Sequence, residues 1–328
     1  MLKLLWSFTG AFLVTLVTGS ILVPALRRIK AGQEIREDGP TWHNVKRGTP
    51  TMGGVMFIAG IAFACIVCGL DEIGAGEWRH VLILAFGLIF AAIGFLDDYE
   101  KLKKKQNLGL TARQKFALQL AAAIAFVVLL RSMGYLNPHL YVPFFNVTWD
   151  MPPVLYFIFA AFIIVGTVNA VNITDGIDGL AAGVSIPVAL CFTAVAMLWG
   201  YSSVGLFGAG MAGALCAFLI FNFYPAKVFM GDTGSLFLGG IICAAAFALD
   251  VPLILVPLGV IYIVETLSDI IQVAYFKLTH GKRVFKMAPL HHHLEMCGWG
   301  ERRIFTVFVS ISAAAAVLSY LSVYFRFR

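Results

Sequence analysis

Five short segments hold most of the side chains in this chain that could do ionic or phosphoryl chemistry. Asp97 and Asp98 stand side by side in Gly94-Phe95-Leu96-Asp97-Asp98-Tyr99. Adjacent carboxylates beside apolar helix repel each other and call for a shared cation or a raised proton affinity. The plainer account is a solvated helix end beside the Lys101 to Lys105 run. Residues 169–180 contain two Asn, two Asp and two Gly but no Lys or Arg. Within them Asp175 and Asp178 would share a face if the segment is helical, and a capped turn is the alternative. Phe229-Met230-Gly231-Asp232-Thr233-Gly234-Ser235 offers free N–H groups, hydroxyls and one carboxylate, parts that suit phosphate and Mg²⁺ together. There Asp232 as a simple N-cap competes. Three successive histidines, His291 to His293, suggest zinc, yet neighbours on a helix or strand cannot all face one ion. They read better as phosphate-binding or structural donors. Lys46 to Gly54 brings basic, hydroxyl and glycine groups to a helix start, either an anion contact or an ordinary basic flank.

The elements that must position these segments follow from composition. The chain has 328 residues, 60% hydrophobic before glycine is counted and only 13% charged. Soluble domains reach roughly 45–50% with glycine included, so a soluble globule is excluded, and 28 Phe exclude disorder. Ten apolar runs, at roughly 2–26, 52–70, 80–96, 114–133, 153–170, 179–199, 204–221, 235–249, 252–276 and 304–325, predict an all-α polytopic membrane protein with ten transmembrane helices. The first run is too long for a signal h-region and ends at Arg27-Arg28-Ile29-Lys30 without a cleavage site.

Basic residues mark the cytoplasmic side. Arg27, Arg28, Lys30, Arg36, Lys46 and Arg47 follow span 1, and Lys101, Lys103, Lys104, Lys105, Arg113 and Lys115 follow span 3. Lys227 follows span 7, while Lys277, Lys282, Arg283, Lys286, Arg302 and Arg303 follow span 9. Only Lys3, Arg79, Arg131, Arg326 and Arg328 remain opposite. Both termini are therefore expected outside, with all five chemical segments on the cytoplasmic face. The net charge of +6 is largely this topology signal and also suits membrane lipid headgroups or phosphorylated substrates. Nucleic acid is not expected as a partner, since no domain stands outside the membrane to read it. The six cysteines, Cys65 and Cys68 with their C-x-x-C spacing included, read as core or cytoplasmic thiols and not as disulfides.

Taken in order from about residue 46 to 301, the five segments resemble the phospho-N-acetylmuramoyl-pentapeptide-transferase family of bacterial peptidoglycan synthesis. This is a branch of the polyprenyl-phosphate N-acetylhexosamine-1-phosphate transferase superfamily, glycosyltransferase family 4. The acid motifs belong to the wider superfamily, whereas the histidine loop and Thr49-Pro50-Thr51-Met52-Gly53-Gly54 narrow it to this branch. The resemblance implies one transmembrane transferase domain over residues 1–328, multi-pass in the bacterial inner membrane, and it is compatible with a homodimer. It implies transfer of phospho-MurNAc-pentapeptide from UDP-MurNAc-pentapeptide to undecaprenyl phosphate, with Mg²⁺, giving lipid I and UMP.

By the same resemblance Asp232 would bind Mg²⁺ and Asp97 would deprotonate the lipid phosphate, assisted by Asp98. Lys46, Thr51, Asn172, Asp175, Asn222, Phe229, Gln272 and Ala288 would surround the nucleotide. His291 and His292 would meet the phosphates, and Lys115 the lipid phosphate. Two positions depart from the family pattern: Leu294 stands where Phe follows the histidines, and Asp269 puts an acid into span 9 close to Gln272. Direct attack by the lipid phosphate is expected over an aspartyl intermediate, because paired acids beside basic residues suit proton removal. A sister transferase using UDP-GlcNAc shares the acids without needing the histidine loop. A secondary transporter would carry its acids near the bilayer midplane, a depth that only Glu265 and Asp269 approach.

Overall fold

The computed structural model describes residues 1–28, 46, 48–104 and 109–326. Lys30, Arg36, Arg47, Lys105 and Arg328 of the topology reading lie outside the described residues. The chain is a helical bundle. Its long helices are α1 (Leu2–Arg28), α4 (Arg79–Lys104), α5 (Ala112–Ser132), α6 (Pro153–Thr174), α7 (Leu180–Leu198), α8 (Ser202–Asn222), α9 (Gly231–Ala248), α11 (Val260–Leu278) and α13 (Glu301–Val323). Shorter ones are α2 (Gly54–Phe63), which runs on as a π turn to Cys68, α3 (Leu70–Gly74), α10 (Leu255–Leu258) and α12 (Leu290–Met296).

Among the described residues eight helices are long and apolar enough to cross a membrane, or nine if the pair 252–258 and 260–278, bent by 78°, is one span. The remaining expected run survives as the shorter apolar helix Gly54–Cys68. At 1.5 Å per residue its 15 residues reach about 22 Å, less than a hydrocarbon core. One non-helical feature was not foreseen. Between α5 and α6 the strands β1 (His139–Val142) and β2 (Val147–Asp150) form an antiparallel hairpin with His139 opposite Asp150.

Burial ranks the helices. The apolar windows of α8 and α9 are 78% and 89% buried, against 28% in α1 and 33% in α5 and α13. The two central helices are apolar on every side, as a helix surrounded by protein must be. Lipid supplies no hydrophobic drive between helices, so close backbone packing has to. α9 packs against α4, α6 and α2, while α8 packs against α1 and α7. At the α2–α9 crossing a Cβ on Gly54 would lie 2.6 Å from the Gly234 nitrogen. Local signals start the outer helices: α5 opens with a capping box in which Thr111 and Gln114 satisfy each other's backbone N–H, and α6 opens on Pro153.

Candidate active site

The C-terminal part of α4, the start of α9 and the end of α6 converge at one end of the bundle. α4 does not stop at the acids, as the sequence reading expects, but continues to Lys104. Charged residues stabilise this extension through i,i+4 ion pairs, Asp97 with Lys101 at 2.6 Å and Glu100 with Lys104 at 2.7 Å. Asp97 and Asp98 are therefore buried within a helix flank, 3% exposed each, and no helix dipole opposes them. Together with Asp232 they form a cluster in which one oxygen of each lies within 4.8 Å of the others.

Each carboxylate is oriented by different partners. Asp97 accepts the Leu110 N–H at 2.8 Å. Asp98 accepts the N–H groups of Asp232 and Thr233 at 3.1 and 2.9 Å and the Thr233 hydroxyl at 2.7 Å. Asp98, from another helix, thus caps the N-terminus of α9, and Asp232 does not. This frees Asp232 to accept from Asn172 at 2.8 Å, Lys101 at 3.0 Å and Lys115 at 2.6 Å. Asn172 also donates to Ser235 at 2.7 Å. Three carboxylates against two ammonium groups leave a negative charge over, in a pocket of hard oxygen donors.

Two glycines set the spacing. Gly231 has φ +70° and lies against Asp98 and Thr51, where a Cβ would come 2.7 Å from both side-chain oxygens. Only glycine meets both conditions without strain. Gly94, one turn before Asp98, packs on the first turn of α9, so that a Cβ there would lie 2.6 Å from the Thr233 nitrogen and nearer still to the Asp232 carbonyl.

The 175–179 turn separates two acids that sequence spacing would put on one helical face. α6 ends at Thr174, and the turn is not helical. Asp175 is half-buried, and its pKa lies well above the ordinary carboxylate value, first because of burial and then because Asp232, Asp98 and Asp178 repel its charge. Asp178 turns away into an ion triad, with Lys46 Nζ 2.7 Å from both Asp178 and Glu301. Asp178 also accepts the Ala226 N–H at 2.8 Å. Burial pulls the Lys46 pKa down, but Glu301 and Asp178 outweigh it and the net shift is upward.

The other nucleotide-site candidates surround this centre. Phe229 is tied by backbone bonds to Pro50 and Gly53, both 2.8 Å, which pins the 229–235 segment to the Thr51 segment. Asn222 donates to the Val228 carbonyl at 2.9 Å, while its buried oxygen has no partner. Gln272 spends its amide on loop 284–285, donating to the Phe285 carbonyl at 3.2 Å and accepting from the Val284 and Phe285 N–H groups. With Ala288 and Asp269 it lines a cleft of about 370 Å³.

The three histidines face three ways, as the zinc argument requires. His291 Nδ1 meets Glu265 at 2.7 Å, His292 Nδ1 meets Glu295 at 2.7 Å, and His293 Nδ1 accepts the Lys286 N–H at 3.1 Å. Sequence reasoning missed Glu301, placed Asp178 and Thr233 in the right segments without their partners Lys46 and Asp98, and valued Lys101 only as part of a basic run. Glu301 carries no local signal, since its partner Lys46 is 255 positions away. Lys101 does carry one, the i,i+4 spacing to Asp97.

Carboxylates, lysines and an asparagine gathered at one end of an apolar helical bundle are parts that suit a phosphoryl-group transferase, and residues 80–250 match the glycosyl transferase family 4 profile. Residues 46–58 match phospho-N-acetylmuramoyl-pentapeptide-transferase signature 1. The chain is 43% identical over 321 residues to the phospho-N-acetylmuramoyl-pentapeptide-transferase of Clostridium acetobutylicum, covering 97% of this chain and 98% of that protein. It is 47% identical to that of Heliobacterium modesticaldum, covering 98% of each chain, and 45% identical to that of Bacillus cytotoxicus, covering 96% of each. The chain belongs to the phospho-N-acetylmuramoyl-pentapeptide-transferase family.

Proposed function

We propose that this protein transfers phospho-MurNAc-pentapeptide from UDP-MurNAc-pentapeptide to undecaprenyl phosphate, giving lipid I and UMP in the first membrane step of peptidoglycan synthesis. The observation that carries the reading is the Asp97, Asp98 and Asp232 cluster with Lys101 and Lys115, inside a chain of this family. As one domain in the bacterial inner membrane with ten spans, the bent pair 252–278 counted as one and the short helix Gly54–Cys68 as another, and with its termini outside, the protein would present this cluster to the cytoplasm. A cytosolic nucleotide and a lipid phosphate can meet only at such a boundary.

The donor set fits a hard divalent cation: hard oxygens at close spacing, a negative charge left over, and Asn172 holding Asp232 in place. Asp232 would be its ligand with Asp97 beside it, and Mg²⁺ bound there would neutralise the diphosphate and stabilise the UMP leaving group. Lys115 holds the lipid phosphate, and Asp97 accepts its proton when it arrives protonated. An oxygen of that phosphate then attacks the phosphorus bearing the sugar, the bond to the bridging oxygen breaks, and UMP leaves with that oxygen. Asp98 acts through the backbone by fixing the first turn of α9. Thr51, Asn222, Phe229, Ala288 and the 175–179 turn line the nucleotide side, with Lys46 and Gln272 pinning it, and His291 and His292 lie on the phosphate side.

The test is UMP release by purified protein given undecaprenyl phosphate and either UDP-MurNAc-pentapeptide or UDP-GlcNAc. Release with the first sugar, dependent on Mg²⁺ and lipid and abolished in Asp232→Asn, is expected. Preference for UDP-GlcNAc, or full activity of Asp232→Asn at saturating Mg²⁺, would sink the assignment.

A further inference from the structure

Glu265 on α11 is fully buried, and neither the carboxylate cluster nor the Lys46 triad employs it. Its carboxylate meets His291 Nδ1 at 2.7 Å and also accepts the His291 backbone N–H at 3.2 Å. A carboxylate can only accept, so Nδ1 carries the hydrogen and Nε2 is the ring nitrogen left over. Nε2 is buried and has no hydrogen-bond partner. An orphaned buried polar atom is uncommon and demands a reason. This one points at Gly176: a Cβ there would collide with Nε2, so the glycine is the gap through which the ring reaches the 175–179 turn. The preceding residue, Asp175, lies close enough to Asp98 and Asp232 for their charges to act on it.

We propose that Glu265 is a positioning residue for the transfer, its carboxylate locking His291 so that Nε2 is presented to a diphosphate oxygen across the Asp175 to Gly176 turn. The inference rests on the transferase reading and adds to it a residue outside the five segments. A proton taken from water onto Nε2 makes the ring a donor to that oxygen, and the Glu265 charge balances the resulting imidazolium. This is the logic of a carboxylate that orients a histidine and compensates its charge without itself gaining the proton. Partners of this kind are worth 10–100-fold when removed from metal-bound histidines, and a loss of about that size is expected here.

Glu265→Gln retains volume and an acceptor but removes the charge. In the UMP-release assay it should lower kcat about 10–100-fold with KM for the nucleotide within about twofold, the pattern of an interaction realised in the transition state. In a His291→Gln background the same change should cost nothing further, whereas a merely structural Glu265 would lose thermal stability and activity additively. Histidine ¹⁵N spectra of the wild-type protein, with the His291 signal assigned by its absence in His291→Gln, should show hydrogen on Nδ1, and UDP added with Mg²⁺ should protonate Nε2. An unchanged kcat in Glu265→Gln, additive losses, or hydrogen on Nε2 alone would overturn the proposal. No UMP release by the wild-type protein would overturn the transferase reading along with it, whereas normal wild-type turnover beside an unaffected variant overturns this proposal only. If Glu265→Gln does not fold, the wild-type spectra decide.

Discussion

Replacing Gly94 by alanine tests whether the α4 to α9 distance sets the site. The added Cβ would lie 2.6 Å from the Thr233 nitrogen, against 3.4 Å for ordinary contact, and the obstacle is backbone, which cannot rotate aside. The helices must part by at least 0.8 Å at this point, the difference between those two distances. Asp97 and Asp98 travel with α4 while Asp232 stays with α9, so the cluster opens by a similar amount. Misplacement by about 1 Å costs on the order of 10²-fold in rate, or about 2.7 kcal/mol in the barrier. Overpacking adds about 1–3 kcal/mol of destabilisation. The assay is UMP release against Mg²⁺ concentration, in which Gly94→Ala should combine a kcat near 1% of wild type with a raised Mg²⁺ requirement. Gly166→Ala is the control: its Cβ meets nothing within 4 Å, so activity should be unchanged. A Gly94→Ala protein with wild-type kcat and Mg²⁺ dependence would refute the reasoning that this contact spaces the carboxylates.

Two further outcomes follow from the charges. The pKa of Asp175 is raised in the fold, so the folded chain holds a proton that the unfolded chain releases near pH 4. Stability therefore falls as pH rises from about 4 through the folded value. Melting of the metal-free protein across pH should show this decline, and Asp175→Asn should flatten it and melt higher at neutral pH; parallel curves would contradict it. Lys46→Met leaves Asp178 and Glu301 buried without their cation, a loss of about 3–5 kcal/mol for a broken buried pair. Calorimetry should show the drop, and adding Asp178→Asn and Glu301→Gln should recover most of it. In the parent, stability from the upward-shifted Lys46 is present below about pH 10.4 and lost as pH rises through its folded value.

By itself the sequence determined the helical membrane class, most of the long helices within a few residues, and the segments in which the chemistry lies, but not the eight further residues of α4 or the bend within 252–278. Those features are written in run length, in composition and in residue type at short spacing. Asp97, Asp98 and Asp232 were legible as acids needing a reason because carboxylates are scarce in a chain with 13% charged residues. Tertiary structure alone decided which oxygen faces which partner. Spacing cannot show that Asp98 caps a helix beginning 133 residues later, that Asp178 turns away from Asp175 to Lys46, or that Glu265 serves His291. Such pairings join residues far apart in the chain and depend on helix directions and sub-ångström backbone contacts. Glycines such as Gly94 and Gly231 set those contacts, and no local pattern marks them apart from the other 30.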